Sequence, residues 1–290
     1  MGTLTALDMV SQGRPKTLTF VSTTAVFEAP AHYVTLSETL ISKGGKGILE
    51  TDDLEGSRFQ LSTGYAQTKW VCEKLLFEAG RRGLRGGIIR PSYIVGDSQS
   101  AVMNTDDFLW RLVKGCIQLG HSPDIYNRFN MVPVNHISTI VKLASVNAPA
   151  DAMPVYNVTA RPTIRFNDFL AALPKYGYQV EKIEYLVWRH KLEQHVLKSQ
   201  DNALFPLLHY VLEDLPTSTK GPELDDTNTA ALLRSGQQKE AVTVDSQLLG
   251  RYLAWLVATG FLESPPETEG AEALPAIDTS GIRHIGRSGR

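Results

Sequence analysis

A tyrosine and a lysine stand four positions apart in Ser62-Thr63-Gly64-Tyr65-Ala66-Gln67-Thr68-Lys69-Trp70. On a helix, positions i and i+4 share a face. An ammonium held there favours the phenolate of the tyrosine and makes its hydroxyl a better acid. Such a pair can donate a proton beside a nicotinamide cofactor and hydrogen-bond a cofactor ribose. The spacing alone is weak evidence. With ten tyrosines and thirteen lysines in the chain, about half a match arises by chance. A second match, Tyr178 and Lys182, lies in Tyr176-Gly177-Tyr178-Gln179-Val180-Glu181-Lys182-Ile183. That string alternates polar and apolar residues as a strand does, and it reads as structural.

Context separates the two pairs. Residues 65–82 carry Val71, Leu75, Leu76 and Ala79 on one helical face, and Gly83 terminates the pattern. Thr17–Ser22 reads as a short buried strand, and Gly87–Arg90 as a second strand cut by Pro91. Between them, residues 29–61 read as a long connection, which is functional or carries hidden structure. Thr105-Asp106-Asp107 opens a helix running through Leu119 to Gly120, with Asp106 and Asp107 as first-turn dipole partners. Met131–Val134 is extended, Asn135 is placed to cap a helix 136–147, and Pro154–Thr159 is a further strand. This alternation predicts an α/β fold, a Rossmann-like doubly wound parallel sheet. Beyond residue 160 the segments 166–173, 186–198, 203–212 and 244–262 read as helices. The expected domains are therefore a partial nucleotide-binding domain 1–160 and a mainly helical lobe 161–263. A Pro-, Gly- and Glu-rich tail, 264–290, is expected to be disordered.

Composition narrows the partners. The chain is 42% hydrophobic and 21% charged, with a net charge of −2, so no charge excess favours nucleic acid or an anionic membrane. No apolar run approaches the ~20 residues of a membrane span. Cys72 and Cys116 read as reduced thiols of a cytoplasmic protein. His190 and His195, five apart, do not share a helix face, and no metal site is expected. In an open parallel sheet, ligands sit beyond the carboxyl ends of the strands. Ser22-Thr23-Thr24 and Pro91-Ser92-Tyr93-Ile94-Val95-Gly96 lie at two such ends, on either side in sequence of the Tyr65–Lys69 helix.

This order resembles the extended short-chain dehydrogenase/reductase superfamily. Thr23 matches its hydroxyl position, Tyr65 and Lys69 its proton-relay pair, and Pro91, Ser92, Tyr93 and Ile94 the loop bordering the nicotinamide. Longer strings sharpen the likeness: Gly64–Trp70, Glu78–Gly86, Ile89-Arg90-Pro91, Asn104–Leu109, Asn130–Val134 and Pro216–Asp226. Over roughly residues 2–263 the chain resembles the thioester reductase domains of fungal aminoadipate reductases. The resemblance implies NADPH-dependent reduction of an aminoadipoyl thioester, held on a phosphopantetheine-bearing carrier domain, to the semialdehyde of lysine biosynthesis. It implies Thr23, Tyr65 and Lys69 as catalytic residues. It implies Ser22, Thr23, Tyr65, Lys69, Pro91, Ser92, Tyr93 and Ile94 as the cofactor border.

One family feature does not stand in the sequence. Such domains open with strand, glycine-rich turn and helix, where the helix N-terminus holds the pyrophosphate. Gly44-Gly45-Lys46-Gly47 follows no strand and reads as a loop. The first βαβ units are expected to be missing, and the chain by itself is expected to bind NADPH poorly. Two other readings stay open: a noncatalytic dehydrogenase-like binding module, and an extended dehydrogenase acting on a free small molecule.

Overall fold

The computed structural model describes residues 2–149, 152–198, 201–208, 211–212, 215–216 and 219–280. By its internal contacts the chain forms two interleaved units. One comprises Met1–Ile94, Asn130–Thr163 and Lys220–Thr243; the other comprises Val95–Phe129, Ile164–Thr219 and Val244–Arg290. The sequence expectation of a single boundary near residue 160 differs from this partition. Chain order cannot reveal that Val95–Phe129 leaves the first unit and that Lys220–Thr243 returns to it, because both are decided by tertiary packing.

The first unit is built on three parallel strands, β1 (Thr17–Val21), β2 (Arg85–Pro91) and β7 (Val155–Val158), in the order β1-β2-β7. All seven residues of β2 are apolar, glycine, proline or arginine, and all but Arg85 are buried. That is the pattern of a central parallel strand covered on both faces. Helix α3 (Gly64–Arg81) covers one face, where Leu76 packs with Ile88 and Val155 against Leu18, Phe20 and Phe77. On the other face, α5 (Val134–Val146) and α9 (Thr227–Ser235) bring Ile137, Ile140, Leu232 and Leu233 onto Ile89, Tyr156 and Val158. A sheet with helices on both faces is the Rossmann-like α/β arrangement. Helix α1 (Gly2–Ser11) meets α3 through a Thr3 hydroxyl donating to Cys72 Sγ at 3.0 Å.

The connection 29–61 does hold structure. Helix α2 (Pro30–Ser42) starts with proline at its first turn, where the missing N–H is harmless. Its Tyr33 joins Val26, Phe27, Ile48, Leu54 and Leu224 in a separate small core. Gly44-Gly45-Lys46-Gly47 is the exit from α2. Gly47, at φ 110°, crosses so near Glu223 that a Cβ would lie 2.2 Å from its carbonyl oxygen. The cluster is thus shaped by chain crossing. A short β3 (Tyr93–Val95) pairs with β6 (Met131–Pro133), and α5 begins at Val134 with Pro133 at its cap position, so Asn135 lies inside the helix.

The second unit joins α4 (Phe108–Leu119), capped by Asp107 accepting from Leu109 N–H at 3.0 Å, to several short elements. These are the parallel pair β4 (His121–Asp124) and β9 (Glu181–Glu184), and the antiparallel pair β5 (Arg128–Phe129) and β8 (Ile164–Arg165). Helices α6 (Phe166–Leu170), α7 (Ala172–Lys175), α8 (Tyr185–Lys198) and α10 (Ser246–Ala258) complete it. Its aromatic core sets Trp110 edge-on to Tyr252 at 5.5 Å and Phe129 against Phe166 at 5.0 Å. The expected helix 203–212 is partly outside the described residues; within them Phe205–Leu207 forms a 3₁₀ turn and residues 208, 211 and 212 are helical. In the tail, residues near 268–272 are irregular, with Glu272 N–H on the Lys175 carbonyl at 2.9 Å and the Thr268 hydroxyl on that of Gly177. Residues 281–290 lie outside the described residues.

Candidate active site at the strand ends

Register places the site. Val21 pairs with Ile89, and the Ser22 N–H reaches the Ile89 carbonyl at 2.6 Å, so Thr23 leaves the sheet beside the Arg90–Pro91 end of β2. These are the carboxyl ends of neighbouring parallel strands. Thr23 is extended (φ −163°, ψ 154°) and caps the 3₁₀ turn Thr24–Phe27 by accepting the Ala25 N–H at 3.1 Å. In that bond the oxygen accepts, so the hydroxyl proton is left for another acceptor.

Helix α3 starts at the site. Thr63 caps it by accepting the Ala66 N–H at 3.2 Å, and Tyr65 follows in the first turn, 58% exposed. Its hydroxyl makes no hydrogen bond among the described residues. One turn on, Lys69 Nζ donates to the Val21 carbonyl at 2.7 Å. The same ammonium lies 4.9 Å from the Phe20 ring centroid and 5.9 Å from that of Tyr65. The lysine thus ties the helix to the last residue of β1 and holds its charge beside the tyrosine.

The remaining sequence candidates divide by exposure. Tyr93 and Ile94 are 37% and 41% exposed on β3, apolar surface at the end of β2. Ser92 is buried, and its hydroxyl donates to the Val158 carbonyl at 2.9 Å, which fixes the turn. Ser22 is also buried, with its hydroxyl turned inward onto Glu73 Oε1 at 2.5 Å. Pro91 ends β2 and is buried. An ammonium, a half-buried hydroxyl and an apolar border suit the ribose and nicotinamide half of a dinucleotide. No glycine-rich turn leading into a helix stands beside them among the described residues.

The second spacing match is taken apart by the fold. Tyr178 precedes β9, is buried and donates to the Glu263 carbonyl at 2.9 Å; burial pushes its hydroxyl up to about 12. Lys182, on β9, faces Asp124 at 3.7 Å.

Two residues that sequence reasoning did not single out lie beneath the site. Glu73 and Arg90 are wholly buried and form a side-on pair, with Arg90 Nη2 and Nε at 2.7 and 2.9 Å from Glu73 Oε2. The sequence carried one signal: Glu73 falls one helical turn after Lys69 and two after Tyr65, a carboxylate on the face that meets the sheet.

Comparison with known proteins fits this geometry. A family model described as Male sterility protein, an NAD-binding family, matches residues 1–141. L-2-aminoadipate reductase large subunit from Penicillium chrysogenum is 47% identical over 97% of the chain. The L-2-aminoadipate reductase of Schizosaccharomyces pombe is 49% identical over 96%. Nearly the whole chain is thus similar to one segment of the fungal L-2-aminoadipate reductases. It spans about a fifth of the length of these relatives, 21% and 20% respectively. Among solved structures, the terminal R domain of the myxalamid PKS-NRPS pathway is 31% identical, with a TM-score of 0.76 over 91% of the chain and 63% of that domain. The family likeness therefore covers both units, including the strings of the second one.

Proposed function

We propose that the site at the ends of β1 and β2 reduces a carrier-bound aminoadipoyl thioester to 2-aminoadipate semialdehyde with NADPH, as a step of lysine biosynthesis in the cytoplasm. The carrier is a domain bearing phosphopantetheine. The observation that supports this most is the Lys69 ammonium, fixed on the Val21 carbonyl at 2.7 Å. There it stands between the exposed Tyr65 and the strand that delivers Thr23. The names of the fungal relatives supply the acyl group.

When bound, the cofactor supplies the hydride. The chain's residues supply position and charge. As the carbonyl carbon of the thioester accepts hydride, its oxygen gains negative charge. Donors aimed at that oxygen are worth most in the transition state. Thr23 offers its hydroxyl proton as a hydrogen-bond donor, and Tyr65 gives up its own to the oxygen, making a hemithioacetal. Lys69 stabilises the phenolate left on Tyr65 and reaches the ribose. Breaking the carbon–sulfur bond of the hemithioacetal then returns the carrier thiol and frees the aldehyde. Tyr93 and Ile94 form an apolar border for the nicotinamide. The choice of NADPH over NADH follows the family resemblance.

The test is Tyr65→Phe in the reductase that carries this chain, assayed with aminoadipoyl thioester and NADPH. Turnover is expected to fall by about 10²–10⁴-fold. Unchanged turnover overturns the assignment.

A further inference from the structure

Successive residues of one strand end are gripped by successive turns of one helix. The Val21 carbonyl accepts from Lys69, and the Ser22 hydroxyl donates to Glu73. Thr23 is the next residue. Glu73 in turn receives Arg90 side-on through Nε and Nη2, at 2.7–3.1 Å. The Arg90 guanidinium also lies 5.0 Å from the Phe27 ring centroid. Phe27 closes the 3₁₀ turn that Thr23 caps. One buried pair thus touches α3, the end of β1, the end of β2 and the turn after Thr23.

Charge gives the pair a second consequence. Lys69 and Glu73 are spaced i, i+4 on α3, a separation at which opposite charges attract. Glu73 instead faces Arg90, and Lys69 faces the Val21 carbonyl and the Tyr65 ring. The other acids packed near α3 have partners of their own. Glu55 is held by Lys74 at 2.5 Å, and Asp52 by the Tyr33 hydroxyl at 2.8 Å. Asp53 caps the Glu55 N–H at 3.0 Å, Asp8 of α1 takes Gln12 at 2.9 Å, and Glu28 lies 3.4 Å from the Thr63 hydroxyl at the helix start. Glu78 on α3 itself meets Arg81 and Arg82. Glu73 is therefore the carboxylate on the Lys69 face whose charge must be cancelled.

We propose that Glu73 and Arg90 are positioning residues: a neutral clamp that sets Thr23 against the Tyr65–Lys69 face and reserves the Lys69 charge for Tyr65. The proposal rests on the reductase reading of the site. Tyr65 donates only while protonated, so the rate falls on the alkaline side of the pH profile as it ionises. A neighbouring positive charge favours the anionic form of an acid. With Arg90 removed, Glu73 is left to turn to Lys69 and quench the charge beside Tyr65.

The experiment is the pH dependence of kcat/KM for NADPH-dependent thioester reduction in the reductase that carries this chain. Arg90→Met is expected to move the alkaline limb up by about one pH unit and lower the neutral-pH rate. Arg90→Lys keeps the charge and is expected to restore the wild-type limb. The double variant Glu73→Gln with Arg90→Gln removes both charges and is expected to leave the limb in place. A folded Arg90→Met whose limb does not move overturns the proposal. So does a double variant whose limb moves upward, and that measurement decides the matter where Arg90→Met does not fold. Tyr65→Phe is the control: if it retains wild-type turnover, the reductase assignment itself fails, whatever the clamp variants do.

Discussion

Tyr65–Lys69 and Tyr178–Lys182 are identical as spacings and opposite as chemistry. One pair begins a capped helix at the carboxyl end of a parallel strand. The other straddles the start of β9 with its tyrosine buried. Thr23 has two tasks that substitution can separate. Thr23→Val removes both the hydroxyl donor and the bond to the Ala25 N–H. It is expected to cost about 10²-fold in turnover and about 1 kcal/mol of stability. Thr23→Ser is expected to keep both, and kinetics beside thermal melts would tell them apart. Glu50 was not a sequence candidate, and its burial has a consequence for pH. It is buried, and burial pushes its carboxyl up to about 7 from the ordinary 4.5, against the N–H groups of Asn228, Asn157 and Thr229 that favour the anion. A raised value means the folded state holds more protons than the unfolded one between 4.5 and about 7. Its contribution to stability is therefore complete below that window and declines as pH rises through it, by up to about 3 kcal/mol. Glu50→Gln should flatten that decline. A variant that melts with the wild-type pH slope would show that Glu50 does not titrate there.

Helix ends show how elements borrow from distant sequence. Asp225-Asp226 reads as a local cap for α9, yet Asp226 makes no cap bond; its carboxylate receives the Thr159 hydroxyl at 2.9 Å and Arg161 Nε at 3.1 Å. Glu50 supplies the cap instead, accepting the Asn228 N–H at 2.6 Å and the Thr229 N–H at 3.3 Å. Asp107 caps its helix from two residues away, within the reach of local pattern matching, which cannot find a cap lying 178 residues off. Helix α2 escaped for a related reason. Its Tyr, Val, Thr and Ser have modest helix propensity, and its burial on Val26, Phe27 and Ile48 holds it. The attachment of α3 to the sheet rests heavily on Glu73 and Arg90. Removing one partner of a buried pair leaves an uncompensated charge, so Glu73→Gln is expected to destabilise the fold by about 3–5 kcal/mol. Denaturant melts check this, and a loss under 1 kcal/mol, on the order of an exposed pair, would contradict the burial argument.

The extent of the sheet bears on cofactor affinity. Among the described residues the sheet ends at β1, with no strand on its outer side, and no glycine-rich turn feeds a helix N-terminus beside Thr23. A dinucleotide would meet its ribose and nicotinamide border here without a pyrophosphate cradle. The chain alone is expected to bind NADPH more weakly than micromolar. Calorimetric titration tests this, and a micromolar Kd would refute it. The amino-acid sequence by itself determined the α/β alternation, the three parallel strands, the capped helix that carries Tyr65 and Lys69, and the family strings. These are written in local periodicity, capping residues and short contiguous motifs. Tertiary structure alone decided that Val95–Phe129 leaves the unit that holds the sheet and that Lys220–Thr243 joins it. It decided that Glu50 caps a helix far along the chain, and that Glu73 meets Arg90 rather than Lys69. Each of those depends on which groups lose water together, and a linear chain does not specify that until it is packed.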